Sequence, residues 1–256
     1  MVRSGARLRA ARAASSRTGR RGIAGLFFCP GRWAKGLATA HMSDTTLVIA
    51  PTILAGRHVR LEPLAHTHIP GLVAAAREDA TLYRWSAIPQ GVVEMAQYVD
   101  TALGWREAGT ALPFATVRAE DDVVVGSTRF FLLERWGWPA GHPLARRGGF
   151  DGCEIGYTWL SASATRTAAN TEAKLLMLAH AFEAWGVHRV CFHTDVRNER
   201  SRAALERIGA QFEGVLRAHR LAVEPAPRDS ARYSIVAAEW PQLKRRLHER
   251  LAAQKA

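Results

Sequence analysis

The chain has 256 residues, of which 48% are hydrophobic, and a formal net charge of +12 at neutral pH. This length and composition fit a soluble globular protein of one large or two small domains. The charge is concentrated in residues 1–41, which hold eight arginines and Lys35, no acidic residue, and therefore nine of the twelve net charges. Composition thus argues against a basic nucleic-acid-binding face on the rest of the chain, and we expect no DNA partner.

The basic tail, residues 1–41, admits three interpretations: an organelle transit peptide, a basic interaction arm, or an overextended start before Met42. We favour the third, or a simply disordered segment. The apolar patch at 23–29 is too short to span a bilayer, so no membrane span is expected. The three cysteines, Cys29, Cys153 and Cys191, form neither a metal pattern nor a disulfide framework. This usage fits a reducing, cytoplasmic location without a bound metal.

Hydrophobic periodicity predicts strands and two helices in the first half of the remaining chain. In chain order these are a strand at 58–64, a helix entered at Pro70, a helix at 91–107, and strands at 114–119 and 123–132 joined by a polar turn. Residues 134–153 then break the pattern with Gly, Pro, Arg and two tryptophans. A long loop is expected there.

The second half begins with a strand, a polar turn, a helix and another strand, without a break. The strand EIGYTWL covers 154–160, and the turn runs from Ser161 to Asn170 into a helix that ends at Gly186. The first backbone N–H groups of such a helix lack partners and lie at the positive end of its dipole. The arrangement therefore predicts a site for a pyrophosphate-like anion.

The chain after this unit is predicted to close the sheet. The strand at 189–195 turns His193 to one face, where we expect a buried and hydrogen-bonded histidine. Asn198 suits the N-cap of a short helix, a strand follows at 211–217, and residues 242–256 form a charged, solvated terminal helix.

These blocks resemble the coenzyme A-binding core of the GNAT superfamily of acyl-CoA-dependent N-acetyltransferases. The branch with ribosomal-protein N-terminal acetyltransferases is the most similar. The matching segments are EIGYTWL at 154–160, NTEAKLLMLAHAFE at 170–183, His188-Arg189, NERSRAALERIGAQFEGVLR at 198–217, AGRHVRLEPL at 55–64 and RDSARYSIVAAEWP at 228–241. The family's turn usually reads Gln/Arg-x-x-Gly-x-Gly/Ala, whereas the equivalent positions here are Thr165, Ala168 and Asn170. The departure predicts a less close approach of backbone to phosphate.

The resemblance implies a single α/β (α+β) domain over residues 47–245. Its central sheet would be mixed and mostly antiparallel, with helices on both faces and two central strands that splay to admit the co-substrate. The tail at 1–41 and the charged helix at 242–256 would flank this domain.

The resemblance also implies acetyl-CoA as co-substrate. The backbone near Tyr157 would pair with the pantetheine arm, and N–H groups at 166–171 would hold the pyrophosphate. The Asn198 amide would reach the pantetheine. The predicted cofactor-binding residues are Tyr157, Thr158, Trp159, Leu160, Arg166, Thr167, Ala168, Ala169, Asn170, Thr171, Asn198 and Ser201.

Three residues are candidates for proton transfer. Glu154 would accept the proton of the amine, or would instead pair with one of the arginines at 129, 146 and 147 and shape the groove. Ser201 would protonate the departing thiolate, or would only cap its helix with Asn198. Tyr233 is the alternative acid, or an ordinary strand aromatic.

The expected function is therefore transfer of an acetyl group from acetyl-CoA to a primary amine by direct attack in a ternary complex. The acceptor would be a peptide N-terminus or a small amine. The alternative is a non-catalytic binding or sensing module with an altered coenzyme A turn. Assembly into a homodimer stays open.

Overall fold

The computed structural model describes residues 51–146, 149–223 and 226–254, which all belong to one compact unit, Thr45–Ala256. The predicted basic tail at 1–41 and the start of the predicted domain lie outside the described residues. Within the described part of the chain, no helix is long and apolar enough to cross a membrane.

The described strands form one sheet with the order β1-β2-β3-β4-β5-β6-β8-β7. They are β1 (Leu54–Ala55), β2 (Val59–Pro63), β3 (Ala111–Arg118), β4 (Val124–Glu134), β5 (Gly152–Leu160), β6 (Arg189–Asp195), β7 (Gln211–Leu221) and β8 (Pro227–Val236). Neighbouring strands are antiparallel except β5 and β6, which are parallel. The predicted mixed, mostly antiparallel sheet is confirmed.

Helices cover both faces of this sheet, as predicted. They are α1 (Ile69–Arg77), α2 (Val92–Glu107), α3 (Ala169–Ala179), α4 (Glu199–Arg207) and α5 (Trp240–Ala253). Buried side chains of α1 and α2, with Ala115 and Trp159, form one core. Those of α3 and α5 form a second core against the other face, with Phe130 and Ile155. We call the α1–α2 side the front face and the α3–α5 side the back face.

The parallel strands β5 and β6 part after a short contact. They pair only through Gly152–Arg189, Cys153–Val190 and Glu154–Cys191, although both strands continue beyond these pairs. The carboxyl ends of parallel strands meet at one edge of the sheet, so α3 and α4, which follow β5 and β6, both begin beside this opening. The predicted splay is present, and Glu154 stands at its last paired position.

A β-bulge interrupts β5 just beyond the fork. Arg129 of β4 pairs with Gly156, but Ser127 pairs with Trp159, so β5 carries one extra residue over this interval. Tyr157 lies there with a φ of 51°. Such a bulge turns two successive side chains to the same face, and here it brings Tyr157 to the front beside Gly156.

Two sequence-based expectations are corrected at the C-terminal end. The strand predicted to stop at Arg217 continues to Leu221. The terminal helix is not simply solvated, because Leu243, Leu247 and Leu251 are buried against the back-face core. Their spacing of four residues places them on one stripe of the helix, whose other sides carry the charges.

Candidate active site

Glu154 is a buried carboxylate at the fork. Its neighbours Cys153 and Ile155 point into the back-face core, so alternation turns Glu154 to the front. Its side chain is 4% exposed, and Oε2 lies 2.8 Å from His193 Nδ1 and 3.3 Å from Arg220 Nη2. The arginine partner is therefore Arg220 rather than Arg129, while the side chain of Arg146 and all of Arg147 lie outside the described residues. A buried carboxylate needs such partners to stay ionised.

His193 is buried as expected, but it is not hydrogen-bonded as expected. Neither ring nitrogen has a well-aligned hydrogen-bond partner among the described residues, although Nδ1 is close to Glu154. Its ring lies 4.8 Å from the ring of His219. Burial lowers the pKa of His219, and the nearby His193 and Arg220 lower it further. The carboxylate thus stands beside two imidazoles in a positive field.

A second bulge, in β7, delivers His219 and Arg220 to this cluster. The β7–β8 register shifts between Leu216 and Arg220, and Ala218 adopts a φ of 48°. The shift places adjacent side chains of β7 on the front face, one against His193 and one against Glu154. Sequence reasoning missed Arg220 because it ended the strand too early.

Arg129 lies in an aromatic cage on the same face. It is 1% exposed, and its guanidinium carbon lies 4.2 Å from the centroid of Tyr157, 5.0 Å from that of Tyr98 and 5.2 Å from that of Trp105. Its Nε and Nη2 have no hydrogen-bond partner among the described residues. Aromatic faces attract the cation and offset part of the cost of burying it. The cage ties α2 to the bulged part of β5.

The bulge is supported from the back face by a buried lysine. Thr158 points there, and its Oγ1 lies 2.7 Å from Lys174 Nζ and 2.8 Å from Thr128 Oγ1. Lys174 is 4% exposed, and burial lowers its pKa to about 7. The side chain predicted to line the cofactor path at 158 therefore faces α3, which leaves only its backbone toward the fork.

The turn predicted to hold pyrophosphate leads into α3, which begins at Ala169. The N–H groups of Asn170 and Thr171 have no intrahelical partner by geometry, whereas that of Ala169 is bonded to Thr167 Oγ1 at 3.2 Å. Arg166 and Thr167 are exposed, and Arg166 adopts the left-handed φ of 63°. These donors and this cation fit an anionic group at the helix start.

The missing glycines of this turn do not strain the backbone. Thr165 has a φ of −73° and Ala168 a φ of −66°, which any residue adopts. Asn170 is already helical. The one left-handed residue in this turn is Arg166. The departure from the family pattern therefore changes the space near a phosphate and not the path of the chain.

Glu172 fastens the start of α3 to the edge of the sheet. Its buried carboxylate accepts hydrogen bonds from the N–H groups of Arg57, His58 and Val59 at 2.9, 2.6 and 2.8 Å. These bonds fix the loop between β1 and β2 against the turn at 161–170. They also occupy the acidic charge closest to the predicted phosphate donors.

The backbone of β5 beyond the bulge is partly engaged already. Tyr83 donates its phenolic hydrogen to the carbonyl of Leu160 at 3.0 Å, and its ring meets Trp159 edge-on. Burial raises the pKa of Tyr83 to about 12, so the phenol keeps its proton. Trp159 and Leu160 are buried, and Tyr157 is 42% exposed at the front. Tyr83, which the sequence did not single out, thus holds the last residue of the predicted pantetheine strand.

Asn198 and Ser201 lie at the start of α4. Asn198 caps the helix by accepting from Ser201 N at 3.1 Å, so the capping role is present. The Oγ of Ser201 has no hydrogen-bond partner among the described residues. It is a half-buried hydroxyl beside the opening of the fork.

Tyr233 is not brought to Glu154. It pairs across strands with Phe192 and packs in the back-face core, whereas Cys191, the partner of Glu154, faces the front. Its hydroxyl donates to Glu206 Oε1 at 2.9 Å and accepts from Arg202 Nε at 3.1 Å. Burial raises the pKa of Tyr233. Its place in the structure is that of a packed strand aromatic.

A family model described as an acetyltransferase (GNAT) domain matches residues 58–211. The chain belongs to the GNAT family. This GNAT chain aligns with a GCN5-related N-acetyltransferase of Brucella melitensis at 27% identity and a TM-score of 0.68, covering 80% of this chain and 90% of that one. It aligns with a T. thermophilus structure that carries a provisional acetyltransferase name at 35% identity and a TM-score of 0.64, covering 79% and 98%.

A third solved structure is Mycobacterium smegmatis RimJ in complex with CoA-disulfide. It shares 24% identity and a TM-score of 0.63 with this chain, covering 80% of this chain and 94% of that one, and it supports the fold. A comparison with curated proteins found no match. Among the described residues, no group of three or more His, Cys, Asp or Glu side chains is arranged to hold a metal ion.

Proposed function

We propose that this GNAT protein transfers an acetyl group from acetyl-CoA to a primary amine, with Glu154 as the proton acceptor. The observation that carries the proposal is the position of Glu154. A buried carboxylate stands at the last paired residue of the β5–β6 fork, on the front face, with imidazole and guanidinium neighbours. Acetyl-CoA, when bound, supplies the activated acyl group.

The residues along the fork suit an elongated, anionic co-substrate. Exposed Arg166 and the N–H groups of Asn170 and Thr171 would bind the pyrophosphate. Beyond the bulge, the backbone of β5 has no β6 partner and is available to an amide-bearing arm. The Asn198 amide nitrogen would reach the same arm from α4.

Proton handling would divide between the two faces of the opening. An amine is mostly protonated at neutral pH, and Glu154 would take its proton directly or through one water. His193 and Arg220 would hold the carboxylate in place and keep it ionised. The free Oγ of Ser201 is the candidate donor of the proton that the leaving sulfur needs.

Calorimetry on the full chain tests the co-substrate site. We expect micromolar binding of acetyl-CoA that is lost in Asn170→Glu, because a carboxylate at the start of α3 repels phosphate. Asn170→Gln is the matched control and should bind. No binding by the wild-type chain would instead favour a non-catalytic module.

Kinetics test the role of Glu154. Glu154→Gln should lower kcat about 100-fold, in line with the loss of a general base, while the Kd for acetyl-CoA stays the same. Glu183→Gln, which changes an exposed glutamate ion-paired with Lys244, is the control and should leave kcat unchanged. Full activity in Glu154→Gln would assign proton acceptance to another group.

A further inference from the structure

The front face around Glu154 carries an excess of basic groups. His193 and Arg220 contact its carboxylate, and the ring of His219 lies beside that of His193. A fourth group, Arg228, is the cross-strand partner of Arg220. The proposed function assigns Glu154 to the amine and leaves Arg228 without a task.

Arg220 and Arg228 lie directly opposite each other on the β7–β8 pair. Like charges in this relation destabilise a sheet unless something neutralises them. Arg220 has Glu154 as partner, but Arg228 makes no hydrogen bond or ion pair with any described residue, and its Nε is buried without a partner. A half-buried guanidinium of this kind has unused donors.

Strand register places Arg228 on the same face as Glu154. Along β8, Arg232 is opposite His193 and Ser230 is opposite Asp195. Alternate residues of a strand share a face, so Arg228 points to the side of His193 and therefore of Glu154. The direct contact between Arg220 and Glu154 supports the same assignment, because cross-strand partners share a face.

The nearby acidic groups do not neutralise this pair. Asp195 already accepts three hydrogen bonds from Arg197, from its backbone N, its Nε and its Nη2. Burial is the largest cause that lowers the pKa of Arg228, and the charge of Arg220 acts in the same direction while Asp195 and Glu154 oppose it. The local field is thus positive despite the two carboxylates.

We propose that the acceptor is a primary amine that also carries an anionic group, a carboxylate or a phosphate, and that Arg228 binds this group together with Arg220. The amine of the same molecule faces Glu154. A planar guanidinium binds either anion through two parallel N–H bonds, which fixes its orientation as well as its position. The inference rests on the proposed function, because it names the class of acceptor for the same site.

The test compares paired acceptors that differ only in charge. We would measure kcat/KM of the full chain for ω-amino acids of increasing length and for their amides, and for O-phosphoethanolamine and ethanolamine. At least one anionic member should exceed its neutral partner about tenfold, since a charge-assisted pair contributes about 1.5 kcal/mol or more. The preferred length and anion would distinguish a carboxylate from a phosphate.

Variants assign the preference to Arg228. In Arg228→Gln, KM for the anionic acceptor should rise about tenfold, with kcat and the Kd for acetyl-CoA unchanged, and Arg228→Lys should recover part of the loss. Arg217→Gln removes an exposed arginine of the neighbouring strand β7 and should have no effect.

Three results would overturn the inference. Equal kcat/KM for charged and neutral partners would show that the anion is not recognised. Loss of acetyl-CoA binding in Arg228→Gln would assign the arginine to the co-substrate. If neutral amines are acetylated well, the proposed function stands while this inference falls; if no amine is acetylated, both fall together.

Discussion

Lys174 is a cation inside the back-face core, with two threonine hydroxyls as partners. Its Nζ lies 2.7 Å from Thr158 Oγ1 and 3.3 Å from Thr128 Oγ1, and no carboxylate pairs with it among the described residues. Hydroxyl groups satisfy N–H donors but do not offset a buried charge. This explains why burial lowers its pKa from 10.5 to about 7.

This lowered pKa predicts a stability that rises with pH. Between about pH 7 and about pH 10.5, the unfolded chain binds a proton that the folded chain has released, so the free energy of unfolding increases with pH. Below about pH 7 both states are protonated, and the folded state bears the whole cost. Lys174→Met removes the charge and should be more stable than the wild type at pH 6, by an amount that shrinks toward pH 10.

Urea denaturation at pH 6, 8 and 10 measures this difference. Each unit of pKa shift corresponds to about 1.4 kcal/mol, so the effect is well within range of the method. Lys244→Met, which changes a lysine on the surface of α5, should show no such pH dependence. A difference for Lys174→Met that stays constant with pH would mean that the lysine is not charged or not buried.

Contacts between elements decide where the start of α3 lies. Glu172 binds three successive N–H groups of the loop between β1 and β2, and Gly56 stands beside its carboxylate. A Cβ at Gly56 would lie 2.4 Å from Glu172 Cδ. The loop and the helix can approach this closely only because position 56 has no side chain.

Gly56→Ala should therefore destabilise the protein by about 1 to 3 kcal/mol, the usual cost of a buried group that loses its hydrogen bonds. Gly104→Ala is a matched substitution inside α2, where no atom lies within 4 Å of the added Cβ. It should stabilise by about 0.5 to 1 kcal/mol, because alanine restricts the unfolded chain. Midpoints of urea unfolding give both signs, and equal shifts would contradict the contact with Glu172.

At the scale of the molecule, two cores lie on opposite faces of one sheet and the site lies at its open fork. Every described element between Leu54 and Ala253 belongs to the single unit Thr45–Ala256. Nine of the twelve net positive charges belong to residues 1–41, which precede this unit. Fold stability and bulk charge are therefore separable properties of the chain.

Removal of residues 1–41 should leave the Tm and the Kd for acetyl-CoA unchanged. It should also lower the pI and reduce salt-dependent adsorption to polyanions, because long-range attraction follows net charge. Calorimetry and heparin chromatography on the full chain and on one that begins at Met42 provide the comparison. A lower Tm for the shorter chain would show that these residues stabilise the fold.

Local patterns predicted the elements well and their partners poorly. Period-two and helical spacing located β5, α3 and β6, and the polar turn between β5 and α3 identified the start of the phosphate site. Alternation along β6 also placed His193 on one face, but it could not show that Glu154 stands 2.8 Å away. Arg220 was missed because the bulge at Ala218 extends β7 without a hydrophobic signal. Bulges depend on register with a neighbouring strand, which the sequence of one strand does not contain.

The sequence by itself determined the family, the order of strands and helices, and the position of Glu154 at the start of the strand that leads into the polar turn. These features follow from side-chain periodicity and from motifs that are contiguous along the chain. Only the tertiary structure decided which charges surround Glu154, that Tyr233 faces away from it, and that Arg228 stands opposite Arg220. Such relations join residues of different strands, and they are set by strand pairing, by bulges and by the burial of whole faces.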